Sequence, residues 1–309
     1  MLHVPVLLEE TVARVVTEPG GWYLDATVGA GGYAVALLAA AGLDARLLAI
    51  DRDGRAVGLA QDALAPFGKR AVLERANFTD MAEVAARHGV RQCRGIVMDL
   101  GISSMQVDEV QRGFSFRGEA PLDMRMDDRQ SLTAAQLLKQ LTQEELARVL
   151  REYGEEPMAR RIARAVAAAL ACGEPLETTA QLAALVERAK GGRRGRIHPA
   201  TQTFQALRIA VNGELEALEQ ALPIALNLLA PGGRLAVVSF HSLEDRRVKQ
   251  FMVAHEGRME SLAKGGARWS GTVPRARRVG RKPIRPTAEE VQRNPRSRTA
   301  KLRVLERMA

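Results

Sequence analysis

Three acids close short apolar runs and could each hold part of a nucleoside-bearing ligand. Asp25 follows Trp22-Tyr23-Leu24, Asp51 follows Leu47-Leu48-Ala49-Ile50, and Asp99 follows Ile96-Val97-Met98. Behind Asp25 runs Ala26-Thr27-Val28-Gly29-Ala30-Gly31-Gly32-Tyr33. Glycines let a backbone pass close beneath a ligand, and the helix expected after them offers unpaired N–H groups at its amino terminus. Asp51 is placed to accept both ribose hydroxyls of an adenosine. Gly29, Gly31 and Ala34 also satisfy the loose G-x-G-x-x-G/A dinucleotide pattern, with Asp51 twenty residues beyond Gly31, so the glycines alone do not choose a cofactor. Asp25 favours S-adenosylmethionine, because a carboxylate ahead of the loop suits the cationic amino group of a methionine and repels a pyrophosphate. A plain strand-to-helix turn capped by Asp53 would explain the glycines but not the acids at both strand ends.

Two further stretches bear on the reacting group. Asp99-Leu100-Gly101-Ile102-Ser103-Ser104-Met105-Gln106 ends the fourth apolar run, where Asp99 and Gln106 can hydrogen-bond a cofactor and a flipped base. Ser103 and Ser104 read equally well as a cap for the next segment. Ser239-Phe240-His241-Ser242 ends a fifth run; His241 either orients a base or phosphate or is an internally satisfied histidine. Phe114 and Phe116, interleaved with Arg112 and Arg117, either stack on an unpaired base or pack a core. Cys93 and Cys172 are the only cysteines and stand in no Cys/His cluster, so no metal site or disulfide scaffold is expected and a reducing cytoplasm fits.

The elements that must position these residues follow from periodicity. Strands are expected over 22–27, 46–51, 71–76 and 95–100, alternating with helices over 33–41, 54–64 and 79–88. That alternation indicates βαβ units in a doubly wound, mostly parallel sheet, with the acids at its carboxyl edge. From about 105 to 196 the strand signal disappears. Thr142-Gln143-Glu144-Glu145 is a capping box, Met158, Ile162, Val166 and Leu170 keep a helical period, and Leu182, Leu185 and Val186 mark a helix ended by Gly191-Gly192. The expected organisation is an α/β domain over 1–104 and 197–309 with an inserted all-helical substrate-recognition domain over 105–196. Helices over 200–212 and 214–229 and strands over 234–240 and 301–305 complete the chain.

Charge adds a partner class. The 309 residues carry a formal net charge of +9. Residues 257–309 hold 15 Lys/Arg against 4 Asp/Glu, whereas residues 1–104 hold 10 against 12. A concentrated basic segment attracts polyanions through counterion release. Arg188, Lys190, Arg193, Arg194 and Arg196 form a second basic stretch, read as a phosphate contact. The amino terminus lacks a signal-peptide pattern and no run of apolar residues is long enough to span a bilayer, so a soluble, cytoplasmic protein without a membrane partner is expected.

The sequence resembles, from end to end, the bacterial small-subunit ribosomal RNA cytosine N4-methyltransferase family known as MraW or RsmH. The stretches that carry the likeness are His3-Val4-Pro5-Val6-Leu7-Leu8-Glu9-Glu10, the loop over 25–32, the segment over 99–104, Arg112-Gly113-Phe114-Ser115-Phe116, Pro121-Leu122-Asp123-Met124-Arg125-Met126, His198-Pro199-Ala200-Thr201 with Thr203-Phe204-Gln205-Ala206, Ser239-Phe240-His241-Ser242-Leu243-Glu244-Asp245-Arg246, and Asn294-Pro295-Arg296-Ser297-Arg298. The resemblance implies a Rossmann-like methyltransferase domain with a helical insertion, acting on a cytosine in the decoding region. It carries cofactor contacts to Gly31, Gly32, Tyr33, Asp51, Phe78, Asp99 and Gln106, to which the residue argument adds Asp25 and Gly29. Many members have His where this chain has Tyr33, a departure that a backbone contact there would survive and a side-chain contact of His would not. Expected partners are small-subunit ribosomal RNA, within an assembled or assembling subunit, and a second copy of the chain.

The chemistry narrows the catalytic set. A sulfonium carbon is already electrophilic, so the protein need only align a nucleophile and steady the developing charge. A cytosine amino group is a weak nucleophile, and an acceptor on its protons favours the reactive form. Asp99 or Ser103 can supply that acceptor, and His241 joins the catalytic set as a residue that orients the base or phosphate. Methylation of a pyrimidine ring carbon would ordinarily need a cysteine nucleophile, and neither cysteine is suitably placed. A DNA amino-methyltransferase would be expected to show an Asn/Asp/Ser-Pro-Pro-aromatic run in place of Asp99-Leu100-Gly101-Ile102. A non-catalytic RNA-binding factor retaining the fold would be expected to lose Asp25, Asp51 and Asp99.

Overall fold

The computed structural model describes residues 5–116, 118–192, 198–261, 266–270 and 274–309. The chain divides into two compact units, Met1–Gly101 with Leu215–Ala309, and Ile102–Glu214. In chain order the first unit opens with α1 (Leu8–Val15), β1 (Gly21–Asp25), α2 (Gly32–Ala40), β2 (Ala45–Asp51), α3 (Gly54–Leu64), β3 (Ala71–Arg75), α4 (Met81–Arg87) and β4 (Cys93–Asp99). The second contains α5 (Ser104–Asp108), α6 (Ala134–Gln140), α7 (Gln143–Gly154), α8 (Ala159–Ala171), α9 (Thr179–Lys190) and α10 (Thr201–Asn212). The chain then returns through α11 (Glu214–Leu228), β5 (Leu229–Ser239), α12 (Ser242–Glu256), β6 (Arg258–Ser261), β7 (Ala267–Ser270), β8 (Ala276–Arg278), α13 (Ala288–Arg293) and β9 (Lys301–Arg307).

Seven strands form one sheet in the order β3-β2-β1-β4-β5-β9-β8, while β6 and β7 pair separately. The first five strands of that order run parallel; β9 runs antiparallel to both β5 and β8. Strands buried on both faces must be apolar throughout, which is why they read as runs rather than alternations. Leu24, Leu48, Ile50, Ile96, Met98, Leu235 and Val237 face one core layer with Met81, Val84, Leu218, Leu222 and Met252. Tyr23, Leu47, Ala49, Val97, Val238, Leu302 and Val304 face the other, with Val15, Leu37, Ala60 and Leu64. Strand ends differ from expectation by a few residues; the helix expected from 79 opens as a 3-10 turn, Phe78–Asp80, before α4.

In the second unit α6, α7 and α9 each begin with a reciprocal capping box, Thr133 with Gln136, Thr142 with Glu145, and Thr178 with Gln181. Gly191, at φ 80, stops α9 in the left-handed conformation that glycine adopts without a Cβ penalty. This unit closes at Glu214, not at the expected residue 196. The reason is packing: Phe204, Leu207 and Val211 of α10 complete the core of Leu146, Leu150, Ile162 and Val186. The side-chain amides of Gln202 and Gln205 also donate to the carbonyls of Glu155 (2.9 Å) and Tyr153 (3.1 Å) at the end of α7. Among the described residues no helix is long and apolar enough to cross a membrane.

Candidate active site

The register of the sheet collects the three acids. Asp25 lies opposite Ala49 on β2 and Val97 on β4, so Asp51 and Asp99, each two residues further on, share its face. All three therefore stand at the carboxyl edge on the side of α1, α2 and α3. Thr27 ties the edge together: its hydroxyl accepts the Asp99 amide at 2.7 Å, and the Ala26 amide donates to the Val97 carbonyl at 2.9 Å.

Asp25 is fully buried. Its Oδ1 accepts the Thr27 amide at 3.2 Å, while Oδ2 has no hydrogen-bond partner among the described residues. Burial, with the Asp51 charge adding to it, pushes the Asp25 carboxyl up to about 7 against the lowering effect of backbone amides. Asp99 is likewise held well above the usual carboxylate range, first by burial and then by the charges of Asp25 and Glu244, and its Oδ1 is another buried oxygen without a partner among the described residues. Two desolvated carboxyls with unsatisfied oxygens on one sheet edge are costly unless a cation or a donor meets them. A cationic ligand fits that demand and an anionic one does not.

Asp51 accepts the amides of Gly29 and Asp53, both at 2.9 Å, one on each oxygen. Each oxygen retains a lone pair for a ribose hydroxyl. Burial raises the Asp51 carboxyl despite these two amides. Asp53 caps α3 by accepting the Arg55 amide at 3.1 Å, so the capping and ligand-holding readings apply to different acids of the same strand end. Gly31, at φ 88, needs its missing side chain twice over, since a Cβ there would also approach the Ala63 Cβ to 3.1 Å. Gly32 begins α2, whose first turn has no side-chain cap and no acid. Its amides suit a carboxylate. The buried Tyr33 hydroxyl donates to the Val6 carbonyl, and burial with Asp99 and Asp25 nearby holds it well above its ordinary value. Phe78 is buried in the layer containing Leu48 and Ile50, at the start of the 3-10 turn.

His241 stands at the N-cap position of α12, in the turn after β5, without a side-chain cap hydrogen bond. Its Nε2 lies 3.1 Å from Glu244 Oε1 but outside hydrogen-bonding geometry. Glu244, buried, accepts the amides of Phe240 (2.8 Å) and His241 (3.3 Å). Sequence reasoning missed Glu244 as the residue that holds this turn, although its place three residues after His241 has capping-box spacing. It also missed Thr27, for which no sequence signal existed beyond a hydroxyl at a strand end.

Ser103 and Gln106 belong to the second unit. The Ser103 hydroxyl accepts the Gln106 amide (3.2 Å) and the Gln106 side chain accepts the Ser103 amide (3.1 Å), the capping box of α5. The aromatic pair also packs within that unit. Phe114 is buried in the helical core, and Phe116 stacks on His198 at 4.3 Å and meets the Phe204 ring edge-on. Arg112 lies over the Phe114 ring and donates to the carbonyls of Arg125 (2.9 Å) and Met126 (3.1 Å). Lys190 is committed to buried Glu156 at 2.8 Å, which removes it from the expected phosphate loop. Arg117, Arg193, Arg194 and Arg196 lie outside the described residues, as do His3 and Val4. Cys93 sits at the opposite end of β4 from Asp99, its thiol pushed up to about 12 by burial; Cys172 is exposed at the end of α8.

A doubly wound sheet with an antiparallel strand beside β5, a glycine loop after β1 and acids at the ends of β1, β2 and β4 defines a Rossmann-like methyltransferase. The model of the MraW methylase family matches residues 1–308. The chain belongs to that family and is an S-adenosylmethionine-dependent methyltransferase. It is 48% identical to the ribosomal RNA small subunit methyltransferase H of Symbiobacterium thermophilum, over 98% of this chain and 96% of that protein. The protein of the same name in Cyanothece sp. is 49% identical, over 99% of this chain and 95% of its own length. An rRNA methylase structure from Streptococcus thermophilus is similar at a TM-score of 0.44 and 13% identity, covering 100% of this chain and 99% of that one.

Proposed function

We propose that this enzyme methylates the exocyclic amino nitrogen of a cytosine in the decoding region of small-subunit ribosomal RNA, by direct displacement. The relatives' names supply the RNA. The observation that carries the site is the pair of unsatisfied buried oxygens on Asp25 and Asp99. In this reading Asp25 faces the cationic end of S-adenosylmethionine, Asp51 holds its ribose, Gly29, Gly31, Gly32 and the backbone of Tyr33 lie beneath it, and Phe78 walls the adenine. The bound cofactor supplies a methyl group on a positively charged sulfur. Asp99 accepts a hydrogen bond from the cytosine amino group, which favours its pyramidal form, and takes the proton released on transfer. Ser103 and Gln106 act by holding the start of α5, and His241, steadied by Glu244, contacts base or phosphate. The helical unit contributes to substrate recognition.

No cysteine adduct is needed, because nitrogen attacks directly. Methyl transfer to small ribosomal subunits by purified variants is the test. Asp99→Ala should lose on the order of 10²-fold or more in turnover, with Cys93→Ser and Cys172→Ser close to the parent. Loss of turnover on either cysteine change in a folded enzyme would sink the displacement chemistry, and mass analysis placing the new methyl on a ring carbon would do the same. We further infer an assembled or assembling subunit as substrate, a cytoplasmic site of action, and a homodimer; faster turnover on naked RNA and a monomeric mass by light scattering would count against the first and last.

A further inference from the structure

The carboxyl-terminal cations fall into two groups. Arg275 donates to Asn227 at 2.6 Å, Arg277 pairs with Glu306 at 2.6 Å, Arg278 with Glu256 at 2.5 Å, and Lys301 and Arg303 share Asp245 at 3.0 and 2.6 Å. Arg281, Lys282, Arg285, Arg293 and Arg298 are exposed and have no hydrogen bond or ion pair among the described residues.

The sheet register sorts these groups in space. Because β9 runs antiparallel to β5, with Ser239 opposite Lys301 and Arg234 opposite Glu306, the start of β9 lies at the catalytic edge and its end lies at the far edge. β8 pairs with that far end, Ala276 opposite Arg307 and Arg278 opposite Leu305. From there the chain climbs along β9. The Val279 amide donates to the Val304 carbonyl at 2.9 Å, and Ile284 exchanges two 2.9 Å hydrogen bonds with Leu302. Leu302 is opposite Val238, and Val238 is opposite Asp99. Ile284 is thus in one lateral row with Asp99, three strand spacings away, about 14 Å. Val279 and Ile284 pack inward against the sheet. Arg281 and Lys282 stand out between those two anchors, and Arg285 follows the second. The 3-10 turn Pro295–Thr299 leads directly into β9, which puts Arg298 at the same edge. The Glu290 carboxylate accepts the Leu7 amide at 2.7 Å and so fixes α13, which ends at Arg293.

The prolines on either side of Ile284 and Arg285 restrict this strap to an extended course. Cations on a sheet edge can serve merely to block edge-to-edge pairing. That purpose would be met anywhere along the edge, including by the arginines at the far end, yet there Arg277 and Arg278 are paired with carboxylates and Arg275 is tied to the Asn227 amide, whereas the free ones rise toward Asp99. We propose that Arg281, Lys282, Arg285, Arg293 and Arg298 form a rail for the RNA phosphate backbone leading to the catalytic edge, and that Arg275, Arg277 and Arg278 take no part in RNA binding. The proposal rests on the RNA reading above and narrows it to particular residues.

The experiment measures affinity for a small-subunit ribosomal RNA fragment across a salt series. The parent is compared with an Arg281→Gln, Lys282→Gln, Arg285→Gln, Arg298→Gln variant and with an Arg275→Gln, Arg277→Gln control. Each phosphate contact removed should lower the slope of log affinity against log salt by about 0.7 to 0.9. The rail variant should therefore lose about 3 to 4 in slope, the control less than about 0.5, and both should keep the parent's cofactor affinity. A rail variant with the parent's slope, or a control that falls as far, overturns the proposal. A parent that binds no RNA in a salt-dependent way overturns the RNA reading itself, and the two failures are distinguishable on one plot.

Discussion

Asp25 is ordinarily a group that would lose its proton near pH 4, yet in this chain its carboxyl is pushed up to about 7 by burial and by Asp51. The sign of the linkage follows. A carboxyl whose folded value lies above its unfolded one binds more protons when folded, so its contribution is present below the unfolded value and is lost as pH rises through 7. The free enzyme should therefore be more stable at pH 8 as Asp25→Asn, by about 1 to 4 kcal/mol, because the amide avoids ionisation in a desolvated site. The same change removes the charge proposed to face the cationic end of the cofactor, so cofactor affinity should fall. Calorimetric binding at pH 6 should release a proton in the parent and none in Asp25→Asn, read from buffers of different ionisation enthalpy. Unchanged affinity in the variant, or no proton release by the parent, would detach Asp25 from the cofactor. Asp51→Ala should weaken binding too, since each lost hydrogen bond is worth about 1 kcal/mol. Because Asp51 also holds the Gly29 and Asp53 amides, that variant's loop order needs checking by the amide signals of those two residues.

At the scale of elements, close packing of α7 on α10 depends on Gly154. A Cβ there would stand 2.5 Å from the Gln202 carbonyl oxygen and 3.1 Å from the Ala206 Cβ. Gly154→Ala should destabilise the protein by about 1 to 3 kcal/mol through overpacking, with little change in cofactor affinity. A thermal midpoint equal to the parent's would show that the two helices separate at small cost. This contact also explains what the sequence could and could not disclose. The strand-end acids were legible because a parallel sheet with a side-chain period of two puts residues at matching register on one face. The helices over 142–190 were legible from the capping box at Thr142 and from period, although the box at Thr178 was not. The end of the helical unit was not, because the apolar face of α10 reads the same whichever core it completes. The motif containing Phe114 and Phe116 was ambiguous for a similar reason. Gly113, Arg112 and Asn212 staple the loop after residue 120: a Cβ on Gly113 would meet the Pro121 carbonyl oxygen at 2.3 Å, and Asn212 accepts the Met126 amide (2.8 Å) and donates to the Met124 carbonyl (2.7 Å). Arginine and aromatic residues at such spacing look like a base clamp until the ring contacts are known.

The whole molecule comprises two units with separate cores, one two-layered about the sheet and one helical. The residues proposed to hold the cofactor, Asp25, Gly29, Gly31, Gly32, Tyr33, Asp51, Phe78 and Asp99, all belong to the first, whereas Ser103 and Gln106 belong to the second. Ligand binding stabilises whatever unfolding it must precede by RT ln(1 + [L]/Kd), about 2.7 kcal/mol at a hundredfold excess over Kd. If the units open separately, that increment should appear in hydrogen exchange from β1, β2 and β4 and be largely absent from α7, α8 and α9. Native-state exchange read by mass spectrometry, with and without S-adenosylmethionine, measures both regions in one sample. Equal added protection in the helical core would mean that the two units open as one cooperative body.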